Sequence, residues 1–319
     1  MASMLSFSTI PTLGSSSSSS SSRASFPSRL SSLSLSHRYA EAGVKDDFRS
    51  ATIDVVADVK TERVVVLGGS GFAGSAICKA AVSKGIEVIS LSRSGRPTYP
   101  GSWIDQVTWI PGMFYNLPRD VFYTNWDEIL FGATAVVSTI GGFGSEEQMQ
   151  RINGEANIVS VNAAKEFGPG GELLKIRAGC KKTLGIPKFI FISVHDYNLP
   201  SFVLSTGYFT GKRKAEAEVL SKYPNSGVVL RPGFIYGKRR VDGFEIPLDL
   251  IGQPAERILS AIENFTKPLS SLPASDLLLA PPVNVDDLAL AVVNAVTDDD
   301  FFGVFTIEQI KEAAAKVKV

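Results

Sequence analysis

The sequence predicts an α/β fold, a doubly wound parallel sheet with helices on both faces and a small C-terminal lobe. Three observations predict it. Apolar strand-like runs alternate with helical segments from Arg63 onward, a glycine-rich turn joins the first strand to the first helix, and the rhythm breaks only at 238–282. Each crossover helix packs back onto the sheet it came from, so repeated strand–helix alternation implies parallel strands buried on both faces.

The first unit is RVVVLGGSGFAGSAICKAAVSKGIEVISLSRSGRP, Arg63 to Pro97. Val64 to Leu67 read as a buried strand, Ala73 to Lys84 as a helix and Glu87 to Leu91 as a second strand. Gly68, Gly69, Gly71 and Gly74 fill the turn between them. Glycine there permits torsions closed to other residues, admits a pyrophosphate close to backbone N–H groups, and lets the helix pack tightly on the strand. The helix N-terminus then offers unpaired donors to an anion. Gly68, Gly69, Ser70, Gly71, Phe72 and Gly74 are therefore candidate cofactor-binding residues for a dinucleotide. A tight turn with no ligand is the competing structural reading.

The end of the second strand bears on which dinucleotide. NAD sites usually carry an acidic residue there for the ribose hydroxyls. This chain has Ser92, Arg93, Ser94 and Arg96. A guanidinium matches a 2′-phosphate in charge and shape, so Arg93 favours NADP over NAD.

The alternation continues with strands at Val107 to Ile110, Ala135 to Thr139, Lys188 to Ser193 and Gly227 to Leu230. Helices are expected at Trp126 to Leu130, at Glu146 to Phe167 as one long element, and at Gly207 to Tyr223. Ligands of such sheets bind beyond the carboxyl ends of the strands. Residues 238–282, including an amphipathic helix over 247–265, form the expected substrate-side lobe. Tyr208 and Lys212 share a face of the helix that follows the fifth strand, four residues apart. A lysine ammonium beside a phenol favours the phenolate, which makes Tyr208 a candidate proton donor or acceptor.

Composition narrows the class. The chain has 319 residues, 44% of them hydrophobic, and 32 basic side chains balance 32 acidic ones. That balance gives no electrostatic case for a nucleic-acid partner. Two cysteines and two histidines exclude a Cys/His zinc cluster or a disulfide framework, and no metal site is expected. No apolar run approaches a membrane span, which leaves peripheral membrane association open. Residues 1–40 are serine-rich, carry arginine and lack an acidic residue, the composition of a plastid transit peptide expected to be disordered. Residues 41–60 read as a linker, and 61–319 as the nucleotide-binding domain.

The glycine turn, Asn153 opening NGEANIVSVNAAKEFG, Tyr208 with Lys212, RPGFIYG from Arg231 and PPVNVDDLALAVVNAV from Pro281 together resemble the short-chain dehydrogenase/reductase superfamily. The likeness runs from about Arg63 to the end, in the extended and atypical branches. It is strongest toward atypical members related to the Rossmann-fold accessory subunit of respiratory complex I and to quinone-biosynthesis proteins, with a plant plastid relative as the nearest match. The resemblance implies a Rossmann domain, Tyr208 as general acid/base, and Lys212 binding the nicotinamide ribose while depressing the tyrosine pKa. A serine or threonine that positions the substrate carbonyl is also implied. Ser193 is the candidate, although the usual place lies one or two residues later, where Val194 and His195 stand.

Two segments depart from the superfamily pattern. Without 113–119 the third strand would run WIPGDVFYTNW, restoring a Gly-Asp step. Without 169–185 the chain would run AAKEFGIPKFIFIS, a compact helix-to-strand link of the usual length. Both read as insertions from an alternative splice form, or as genuine surface loops. The functional expectation is an NADP-dependent (or NAD-dependent) oxidoreductase acting on a small apolar plastid metabolite, quinone or lipid related. The chain would work in the chloroplast, in the stroma or at the periphery of a thylakoid or plastoglobule. A non-catalytic nucleotide-binding accessory protein, and an epimerase or dehydratase with bound NAD, fit the same motifs.

Overall fold

Short runs rich in valine and isoleucine, too brief for helices, form the inner strands of the sheet, as in RVVVL, AVVS and GVVL. The computed structural model describes residues 62–112, 125–167, 185–241, 244–247, 254 and 280–318. The strands are β1 Arg63–Leu67, β2 Glu87–Ser92, β3 Val107–Pro111, β4 Ala135–Ser138, β5 Lys188–Ile192, β6 Gly227–Leu230, β7 Ile235–Tyr236, β8 Lys238–Val241, β9 Phe244–Pro247, β10 Val283–Asn284 and β11 Gly303–Phe305. Seven of them make one parallel sheet in the order β11-β6-β5-β4-β1-β2-β3. Val65 of β1 sits between Ile89 of β2 and Val136 of β4, so β1 is central. The chain reverses its direction of growth between β1 and β4, which opens a crevice beyond their carboxyl ends. The doubly wound reading of the sequence is the observed architecture.

Successive side chains of a strand point to opposite faces, and β1 shows the consequence. Val64 and Val66 pack with Ile77 and Ala81 of α1 (Phe72–Ser83), Leu288 and Val292 of α7 (Val285–Thr297) and Ile310 of α8 (Ile307–Lys318). Val65 and Leu67 face the other way, into a core with α2 (Trp126–Leu130), α4 (Ala156–Glu166) and α6 (Gly207–Lys222) through Trp126, Val161, Ala215 and Val219. A short helix, α5 (Ser201–Leu204), precedes α6. The seventh strand, β11, has no sequence signature of its own. Gly-Val-Phe is three residues long, and only its pairing of Val304 with Val229 of β6 makes it a strand.

One expected element is divided. The continuous helix predicted over Glu146 to Phe167 is α3 (Glu146–Gln150), a π-helical turn Arg151–Glu155, and α4. The π turn holds Asn153, fully buried, whose amide donates to Met149 O at 2.9 Å and Gly142 O at 2.8 Å. Next to it Gly154 meets α6 at Gly211. A β-carbon on Gly211 would lie 2.9 Å from Gly154 N, so neither position has room for a side chain. An interrupted ladder at such a site is common where a helix carries function.

The predicted leader at 1–40, the linker at 41–60 and the segment 113–119 lie outside the described residues. The proposed 238–282 lobe is described in the antiparallel β8–β9 hairpin. The helix expected over 247–265 otherwise lies outside, as do 169–184. The described chain before and after 168–184 meets itself. Ile186 N–H donates to Ala164 O at 2.7 Å, and a β-carbon on Gly185 would fall 2.3 Å from Lys165 O. The chain therefore returns to the place it left.

Candidate functional site

The glycine turn after β1 is a cradle made by close backbone approach. Gly68 has φ +88°, and a β-carbon there would stand 2.6 Å from Thr139 Oγ1. At Gly74 it would stand 2.2 Å from Gly68 O, so α1 rests directly on the turn. At Gly69 it would meet Ser90 Oγ at 2.2 Å, beneath the turn. Gly71 caps α1 without a side-chain hydrogen bond, leaving the first-turn amides aimed outward. Beside them a cleft of about 440 Å³ is lined by Gly68, Ser70, Gly71, Arg93, Thr139 and Gly141. It lies at the carboxyl ends of β1, β2 and β4, where the sheet order reverses. These groups fit a dinucleotide pyrophosphate, since they combine free amides, a missing side-chain layer and a helix N-terminus.

Not every sequence candidate enters that cleft. Gly69 and Gly74 shape it from below rather than line it. Phe72 lines a neighbouring cleft of about 220 Å³ with Ser75, Tyr99, Trp103 and Lys238. Its ring packs toward Gly237, on the far side of α1's first turn. Past β2, Ser92 is buried with its hydroxyl on Gly95 O, and Arg96 pairs with Asp105. A 2.8 Å bond between the Ser70 and Ser94 hydroxyls draws the Arg93 segment alongside the glycine turn.

The cleft ends at Ile140 and Gly141, and both rest on Lys212. The ammonium of Lys212 donates to Ile140 O at 3.1 Å and to Ile192 O at 2.8 Å, and stands 4.7 Å above the Phe191 ring. A β-carbon on Gly141 would come within 3.1 Å of Lys212 Nζ. Burial pushes the Lys212 pKa down to about 7, opposed by the charge of Glu216 one turn along. Two carbonyls and an aromatic face thus hold an ammonium in a place that disfavours its charge.

Tyr208 lies one turn before Lys212, half-buried. Its ring stacks on Phe143 with centroids 4.6 Å apart and planes at 14°, and Phe209 meets it edge-on. The pKa of Tyr208 is raised by burial, opposed by the charge of Arg213.

Ser193 is the third candidate. Its hydroxyl, buried just past β5, donates to the Glu216 carboxylate. Glu216 also accepts from Arg231 Nε at 3.1 Å and Nη2 at 2.6 Å, and from Arg213 Nη1 at 2.5 Å. Arg213 donates further to Val194 O and His195 O, and Asp196 bridges the two guanidinium groups from the surface. This buried carboxylate fastens α6, the loop after β5 and the end of β6 to one another. The sequence shows its members only as scattered charges, and no local pattern links positions 193, 213, 216 and 231.

Three more residues hold the site together beside the candidate site residues. Asn153 Oδ1 accepts from Gly142 N–H at 3.1 Å while its amide donates to Gly142 O, fixing the loop after β4. Glu146 accepts from Gly207 N–H at 2.9 Å, capping the helix that carries Tyr208 from a neighbouring element. Phe143 sits on Tyr208. The string GGFGS at 141–145, an aromatic between glycines after a buried strand, is the signal that could have marked it.

Comparison with known proteins places the chain. A sequence profile of the NAD dependent epimerase/dehydratase family matches residues 64–300. An uncharacterized chloroplastic protein of Arabidopsis thaliana is 65% identical over 322 residues, covering 100% of both chains. MIOREX complex component 2 of Saccharomyces cerevisiae is 27% identical over 294 residues, 79% of this chain and 99% of the yeast protein. Among solved structures, the UDP-glucuronic acid 4-epimerase of Bacillus cereus in complex with NAD aligns with TM-score 0.46 and 16% identity, over 77% of this chain and 76% of that one. The Bordetella bronchiseptica enzyme WbmG in complex with NAD aligns with TM-score 0.48 and 15% identity, over 82% and 79%. With the profile covering residues 64–300, well over half of the chain and six of the seven sheet strands, the chain belongs to the NAD dependent epimerase/dehydratase family, within the extended short-chain dehydrogenase/reductases.

Proposed function

We propose that the chain is an oxidoreductase that binds NADP, or NAD, in the 440 Å³ cleft and acts on a small apolar plastid metabolite, quinone or lipid related. The observation that carries this reading is continuity. The cleft that begins at Gly68 ends at Gly141 on the Lys212 ammonium, and Tyr208 stands one turn away on the same helix. The bound nucleotide supplies or accepts a hydride at a substrate carbon. Tyr208 holds the proton that passes to or from the substrate oxygen. Lys212 fixes the segment Ile140–Gly141 against which the nicotinamide end of the cofactor would lie. Arg93, with no acidic residue at the end of β2, supports NADP. A chloroplast setting is supported by the serine-rich leader and by the chloroplastic Arabidopsis relative. The domain assignment within 61–319 and the roles of Tyr208 and Lys212 belong to the same proposal.

Two other readings have support of their own. The family's name favours an epimerase or dehydratase with retained NAD. The engagement of Ser193 by Glu216 favours a nucleotide-binding accessory protein without turnover. Thermal-shift titration with NADPH and NADH separates them first. Stabilisation by NADPH over NADH is expected, and no stabilisation by either would sink the oxidoreductase and epimerase readings together. Tyr208→Phe is then expected to lose about 10²–10⁴-fold in turnover while keeping nucleotide affinity. Full rescue of a knockout's metabolite profile by Tyr208→Phe would instead establish the accessory reading.

A further inference from the structure

Three exposed phenylalanines follow adjacent strands of the sheet. Phe143 is 81% exposed, Phe202 74% and Phe234 57%, and they follow β4, β5 and β6, three adjacent strands. All three therefore stand on the carboxyl side, where a ligand of this sheet binds. Phe131 and Phe302, also exposed, precede β4 and β11 and lie toward the other side.

Phe143 is distinguished by what it touches and by how it is held. Its ring covers one face of the Tyr208 phenol at 4.6 Å. The loop is fastened on both sides of it. Asn153 takes both backbone groups of Gly142, and Ser145 is locked to Gln148 by a reciprocal capping box at 3.0 and 3.3 Å. A β-carbon on Gly144 would stand 2.5 Å from Gln148 Oε1, so the chain hugs α3 immediately after the ring. An apolar ring is thus presented to solvent by a braced loop, with most of its surface unburied. A flat apolar group would bury that surface and gain the ring–ring geometry that aromatic pairs prefer.

We infer that Phe143 is the specificity-determining wall of the Tyr208 site, and that the substrate presents a flat, conjugated, apolar ring next to its reacting carbonyl. A ligand whose oxygen reaches the Tyr208 hydroxyl lies along Phe143, because the phenyl covers one face of the phenol. Phe202 and Phe234 extend the apolar rim for whatever the ring carries. The inference rests on the oxidoreductase reading above and narrows it to ring carbonyl compounds, against polar substrates such as sugar nucleotides.

The test uses the full chain saturated with NADP⁺, which cannot reduce a quinone, and menadione as a flat bicyclic quinone probe, followed by calorimetry. Menadione is expected to bind. Phe143→Ala should weaken it by about tenfold or more, while Phe143→Trp keeps it within about threefold. Phe143 is exposed, so both variants should fold, and an unchanged NADP⁺ affinity verifies that they do. Failure of menadione to bind an NADP⁺-loaded chain, or equal affinity for wild type and Phe143→Ala, would overturn the aromatic wall and leave the nucleotide site standing. Tighter binding of UDP-glucose than of menadione would overturn it as well. Failure of NADP⁺ and NAD⁺ themselves to bind would overturn the oxidoreductase reading and the wall with it.

Discussion

The two halves of the candidate site are built from different materials. The glycine-turn half is backbone: its shape comes from absent side chains, a positive φ at Gly68 and the contact of Gly74 with Gly68 O. The tyrosine half is buried charge and amide: Lys212 on two carbonyls, Glu216 under two arginines, Asn153 on Gly142. A steric cradle tolerates changes in distant parts of the chain and fails when one β-carbon is added. A buried ionic clamp fails when any partner is removed, because the others are left without compensation.

Glu216→Gln should therefore be the most damaging substitution. It halves the charge balance of a cluster whose carboxylate is 4% exposed, and a loss of about 3–5 kcal/mol in denaturant unfolding is expected. An unfolding free energy like that of the wild type would erase the contrast between the two halves. Gly74→Ala attacks the other half. The new carbon meets backbone rather than a flexible side chain, so a cost of about 1–3 kcal/mol is expected, together with weakened nucleotide binding. Nucleotide affinity equal to the wild type in that variant would show that the cradle is not the binding surface.

Lys212 offers a graded probe of the charged half. In the folded chain its pKa is pushed down to about 7 from 10.5. Between those values the unfolded chain binds more protons than the folded one, so stability should rise with pH across that window. Lys212→Met should flatten the rise, and parallel stability–pH curves for the two proteins would argue against a strained ammonium. Smaller still is the effect expected of deleting 169–185. Ile186 N–H already meets Ala164 O across the gap, so the shortened chain should keep its melting behaviour within about 1 kcal/mol. Asp196→Asn should cost least, about 0–1 kcal/mol, because that carboxylate is 70% exposed and bridges its arginines from solvent.

Much of the fold was legible because its signals are local. Helix Trp126–Leu130 and strand Gly227–Leu230 fall where hydrophobic spacing puts them. The exceptions are instructive. Strand β11 needed β6 beside it, and the helix predicted as one piece over 146–167 passes through a π turn where Asn153 bonds Gly142 of the loop after β4. The site divides the same way. Gly68, Ser70, Gly71 and Arg93 share one cleft as their neighbourhood in the chain suggested, whereas Phe72 turns to a second cleft around the same helix.

By itself the sequence determined the parallel sheet, the glycine cradle and the placing of Tyr208 and Lys212 on one helix face. These follow from torsional freedom, hydrophobic period and helical spacing, all properties of neighbours along the chain. Only the tertiary structure decided how the charges were spent. It put the Lys212 ammonium on the carbonyls of Ile140 and Ile192, gave the Ser193 hydroxyl to Glu216, and laid Phe143 on the phenol. A hydrogen bond or a ring contact is chosen by whichever group arrives within about 3–5 Å, and that is settled by packing between distant segments rather than by spacing.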